Sequence, residues 1–98
     1  MEVVYKTRTL QRICTDVQAA SRKYGIRMAE VISMRVKQMK IAKNTEELLY
    51  FRIGRCHALK GNRAGQFAMD LVHPYRLVFE RIGDVVQIVR IVEITDYH

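Results

Sequence analysis

Hydrophobic residues change their spacing along the chain, and the changes mark its elements. Val3, Val4 and Tyr5 form a short β-branched and aromatic run that predicts an opening strand within residues 1–5. From Thr7 onward Leu10, Ile13, Cys14, Val17, Ala20 and Tyr24 recur by threes and fours, which predicts one amphipathic helix. Arg22, Lys23 and Gly25 supply its stop. In a second helix Met28, Ile32, Val36 and Met39 form the buried stripe, while Arg35, Lys37 and Lys40 face elsewhere. The short link through Gly25 makes the two an antiparallel helical hairpin. Asn44 with Glu47 three residues on has the form of a capping box, so one more short helix is expected from 45 to about 51.

Beyond Arg52 the pattern turns to strands at 56–59, 66–72, 75–82 and 85–95, separated by Gly61, Gly65, Pro74 and Gly83-Asp84. The last run is nearly continuous Val and Ile, as expected for a central strand covered on both faces. The expected fold class is therefore α+β. An N-terminal helical hairpin packs on a small, mainly antiparallel sheet, with residues 1–98 in a single domain.

Composition narrows the partners. At 98 residues and 49% hydrophobic, the chain supports one small core. Its 17 Lys and Arg against 10 Asp and Glu leave a formal +7, which favours polyanions: nucleic acid first, an anionic membrane second. Residues 1–50 hold ten of those cations against five acids, whereas His57, His73 and His98 all lie in the second half. Attraction and proton transfer are thus separable along the chain. Cys14 and Cys56 lack a CxxC spacing and read as reduced thiols. No apolar stretch approaches the roughly 20 residues of a spanning helix, and no N-terminal run has the form of a signal peptide, so a cytoplasmic location is expected.

Candidate chemistry sits at strand ends. His57 and Lys60 flank a strand running into a glycine-containing loop, where an imidazole can move a proton near neutral pH and a cation can offset phosphate charge. Read singly, they are also an ordinary loop histidine and a solvated lysine. Asp96, Tyr97 and His98 follow the most apolar strand: Asp96 to orient a neighbour, Tyr97 to stack on a base or donate its phenolic proton, His98 to pair with His57 in proton transfer. The plain alternative is a frayed tail. Arg76 lies on the opposite strand face from Tyr75 and Leu77, where it can grip a phosphate or pair with Glu80 or Asp70. Arg63 is a further phosphate candidate, and His73 beside Pro74 reads as a turn residue without a role.

Taken in order, Arg55-x-His57-x-Leu59-Lys60-Gly61-Asn62, Gly65-Gln66-Phe67, Tyr75-Arg76-Leu77-Val78-Phe79 and Val92-Glu93-Ile94-x-Asp96-Tyr97-His98 resemble the HigB, or killer-protein, branch of the RelE/ParE toxin superfamily. The resemblance covers roughly residues 54–98. It implies a compact α+β toxin, a cofactor-free and metal-free endoribonuclease that cuts translated messenger RNA in the ribosomal A site. It also implies an antitoxin partner, HigA-like with a helix-turn-helix, and no membrane. His57, Lys60, Asp96, Tyr97 and His98 match the family's catalytic positions, and Arg76 matches a strand arginine expected near the scissile phosphate. In this setting Arg8, Arg12, Arg22, Lys23, Arg27, Arg35, Lys37, Lys40 and Lys43 are candidates for contact with ribosomal RNA, or else a solvated helix face. Which histidine is base and which acid stays open. Asn62, Asp70, Val72 and His73-Pro74 depart from the family pattern, and Asp70 places a carboxylate where a basic residue is common. A non-catalytic relative, such as a gyrase-directed toxin of the ParE type, or a basic nucleic-acid-binding module would not need the His57, Lys60 and Asp96–His98 set.

Overall fold

The computed structural model describes residues 1–83 and 87–96. Strand β1 (Glu2–Tyr5) is followed by helices α1 (Arg8–Thr15), α2 (Val17–Tyr24), α3 (Ile26–Ile41) and α4 (Thr45–Tyr50). Strands β2 (His57–Ala58), β3 (Gln66–Asp70), β4 (Tyr75–Ile82) and β5 (Ile88–Asp96) complete the chain, with 3-10 turns at Ile53–Arg55 and Gly61–Arg63.

The single helix expected from Thr7 to Tyr24 is two. Asp16 leaves the helical region (φ −124°, ψ 105°), and its carboxylate accepts from the backbone N–H of Gln18 and Ala19, so it ends α1 and caps α2 at once. Asp is a preferred N-cap because its oxygen satisfies N–H groups with no partner within the helix. The break re-phases the apolar stripe: Ile13, Cys14, Ala19 and Ala20 are buried, while Val17 emerges 48% exposed. The α3 stripe is as expected, with Met28, Ile32, Val36 and Met39 all buried. Asn44 caps α4 by accepting from Glu47 N at 2.9 Å. Both thiols are free and buried, and burial pushes each up to about 12.

The sheet order is β1-β5-β4-β3-β2, antiparallel throughout except that β1 lies parallel beside β5. Helix burial covers one sheet face. Phe79, Met69, Leu77, Val89 and Ile91 from the sheet share a core with Ile32, Met39 and Leu48. β5 is central as expected, yet helices cover only one of its faces. A bulge opposite Val78 and Phe79, which pair with Glu93 and Ile91, leaves Val92 as an extra residue. It lets Ile91 and Ile94, three apart, both pack on the helical side, and it turns Arg90 and Glu93 to the open side. That is why an unbroken apolar run serves a strand with one polar face. The expected strand start at Val85 lies outside the described residues.

Replacing Asp16 with Ala should lower stability by about 1 kcal/mol, as N-cap losses typically do. A thermal melt should read this as a fall of roughly 4–8 °C for a domain of this size. An unchanged melting temperature would refute the double capping role.

Candidate functional site

Positions that alternate with the core face the open side of the sheet. By register, one row across it is His57, Ala68, Val78 and Glu93, and a neighbouring row is Asp70, Arg76 and Thr95. Arg63 spans the first row from the β2 side, donating to Gln66 Oε1 at 2.8 Å and pairing with Glu93. Ala68 and Val78 lie beneath, at 0% and 1% exposure, outside the core that the helices share with the sheet.

His57 is fixed by a chain of contacts that begins on α3. Arg35 Nε donates to the backbone carbonyl of Asp70 at 2.7 Å and its Nη1 to Gln38 Oε1 at 3.0 Å. The guanidinium fills the space above Gly54, where a Cβ would come within 2.6 Å of Arg35 Nε. Gly54 is one of three left-handed residues in the corner that leaves α4, with Arg52 (φ 51°) and Arg55 (φ 55°). For a residue with a Cβ that conformation costs roughly 1–2 kcal/mol. The Asp70 carboxylate meets Arg55 Nε at 3.3 Å, holding the corner against β3. The Arg55 carbonyl then lies 2.9 Å from His57 Nδ1.

A carbonyl only accepts, so Nδ1 carries the hydrogen. On the other side Arg76 Nη1 stands 3.4 Å from His57 Nε2, and a guanidinium only donates. One tautomer meets both contacts, with the hydrogen on Nδ1 and Nε2 as an acceptor at the sheet surface.

Two cavities flank this pair. One, about 340 Å³, is lined by His57, Leu59, Lys60, Asn62, Arg63 and Arg76. The other, about 330 Å³, is lined by Arg55, His57, Asp70, His73, Tyr75 and Arg76, with Leu71 and Pro74. Of the residues expected at the site, His57, Lys60, Arg63 and Arg76 come together. Asp96 pairs by register with Tyr75, which packs toward the core, so its position belongs to the helical face; Thr95 instead stands across from Arg76. Tyr97 and His98 lie outside the described residues. Arg8, Arg12, Arg22, Lys23, Arg27, Lys37, Lys40 and Lys43 are exposed on the helices and the loop after α3. Arg35 is not among them: expected on an outer face, it is half-buried, its pKa lowered by that burial against the opposing pull of Asp70. It serves as the internal tether just described. The weight of Arg55, Asp70 and His73 was not legible in their types; Asp70 as an acid among cations was the one signal.

No family model matches the chain, and no curated protein matches it. Solved structures do. A YoeB/ParE toxin from Agrobacterium tumefaciens is similar at 19% identity and TM-score 0.65, with 100% of each chain covered. A YoeB-YefM complex and a YoeB dimer, both from Staphylococcus aureus, align over 100% of this chain and 97% of theirs. Their identities are 18% and 19%, and their TM-scores 0.65 and 0.63. The fold is thus the helix-on-sheet architecture of these toxins.

Gly54→Ala should cost about 1–3 kcal/mol, the range for a strained backbone position, because it adds left-handed strain to a clash with Arg35. A urea midpoint equal to the parent's would refute the wedge.

Proposed function

We propose that this chain is the toxin of a type II toxin-antitoxin system, a ribosome-dependent endoribonuclease that cleaves translated messenger RNA. The observation that supports it most is His57. One tautomer meets its contacts on both sides, its Nε2 faces Arg76, and Lys60 and Arg63 line the adjoining cavity. The shared fold is compatible with this reading, and the HigB branch rests on the motifs alone.

In this mechanism His57 is the general base. Its Nε2 takes the proton of a ribose 2′-OH as that oxygen attacks the neighbouring phosphorus. The bond to the 5′ oxygen of the next nucleotide breaks, leaving a 2′,3′-cyclic phosphate and a free 5′-OH. Arg76 and Lys60 offset the charge that builds on the phosphate oxygens. The departing oxygen needs a proton, and we assign that to His98, with Tyr97 stacking on the nucleotide and Asp96 anchoring the tail. Arg63 acts at the phosphates with part of its charge already met by Glu93. The exposed cations of the helices contact ribosomal RNA, and a HigA-like antitoxin neutralises the protein in the cytoplasm.

In a purified translation system the wild-type chain should cut messenger RNA only on ribosomes. His57→Ala should slow cutting by ~10²- to 10⁴-fold, the usual worth of a positioned proton acceptor, with the circular dichroism of the fold unchanged. Full-rate cutting by that variant, or no cutting by the parent, would reject the reading.

A further inference from the structure

The outer side of α3 leaves large apolar side chains in water. Ile26, Met34 and Ile41 are 60%, 44% and 83% exposed. Val17, turned outward by the break at Asp16, lines a groove of about 430 Å³ with Met34, Ile41, Glu30 and Lys37. The residues of this face also have an order that reads alike in both directions. Ile26 lies seven positions before Ser33 and Ile41 seven after Met34, while Glu30 lies three before Ser33 and Lys37 three after Met34. Reversing the helix about the Ser33–Met34 bond therefore exchanges apolar for apolar and acid for base. A two-fold axis calls for such a surface, because a residue i that meets j on the partner has j meeting i in return.

We propose that α3 pairs antiparallel with α3 of a second copy of this chain, with the two-fold axis passing beside Ser33 and Met34. In this register Glu30 faces the partner's Lys37 at two symmetric places, and Ile26 faces the partner's Ile41 next to the groove that Val17 lines. Among the described residues neither Glu30 nor Lys37 forms an ion pair, so both charges are available to a partner. Ser33 is small and sits where the helices cross, which allows the usual separation of roughly 8–10 Å. The 16 residues of α3 span roughly 24 Å, a contact at the low end of specific interfaces, so the dimer is weak, with a dissociation constant in the micromolar range. Each copy carries +7, but physiological salt screens that repulsion beyond about 8 Å, and the opposed charges meet at shorter range. The helices lie on the other side of the sheet from His57, so pairing through α3 leaves that residue accessible. Among the helix cations offered to ribosomal RNA it engages Lys37. The pairing holds whether or not the chain cuts RNA.

Sedimentation equilibrium of the full chain, from low to high micromolar concentration at physiological salt, should show a reversible monomer–dimer equilibrium. Glu30→Lys and Lys37→Glu each set like charges across the axis, and each should weaken association by at least about 10-fold. The double variant puts opposite charges face to face again and should recover the association of wild type. Glu30→Lys raises the net positive charge whereas Lys37→Glu lowers it, so a diffuse charge effect would move the two single variants in opposite directions. Ile41→Asn, at a site exposed in the single chain, should weaken the dimer and leave the circular dichroism of the monomer unchanged. A wild-type chain that stays monomeric at every concentration overturns the pairing. So do single variants that associate as tightly as wild type, or a double variant that stays monomeric.

Discussion

Packing of the helices on one sheet face organises this molecule. Four helices supply apolar surface to one side of five strands, and the alternation of side chains along each strand then sends every second residue to the other side. Leu77 and Phe79 go inward, so Arg76 and Val78 cannot. Met69 goes inward, so Ala68 and Asp70 face out, and His57 joins them through its pairing with Ala68. Register alone thus gathers the proton acceptor and its neighbouring cation from strands far apart in sequence. The bulge at Val92 keeps this arrangement consistent across β5, since without it Glu93 and Ile94 would exchange faces.

Most of the fold was legible because it is written in local spacing. The α3 stripe, the Asn44 cap and the β4 boundaries are all visible in periods of two and three to four. The division of the first helix was hidden because Val17 fits a continued stripe by spacing alone. What decides the break is that Asp16 gains two N–H partners by leaving the helix. The parallel addition of β1 beside β5 is a long-range pairing that no window of the sequence contains.

The site was legible unevenly, for a similar reason. His57, Lys60 and Arg76 announce themselves by chemistry and by their strand-end positions. The residues that hold them do not. Arg35 looks like another helix cation until Gly54 leaves room above the corner and Asp70 turns its carbonyl toward the guanidinium. The left-handed Arg52 and Arg55 carry no sequence signature at all, since Gly or Asn would be the usual choice there.

Asp70 illustrates what changes once neighbours are known. As a residue type it argues against an RNA-binding strand, because it subtracts charge where phosphates are to be held. In place, its backbone carbonyl receives Arg35 and its carboxylate steadies Arg55, whose own carbonyl sets the tautomer of His57. Its carboxylate lines one of the two cavities beside His57, while Lys60 and Arg63 line the other, where Arg63 meets the Glu93 carboxylate. Asp70 thus acts in this structure through the residues that it holds in place.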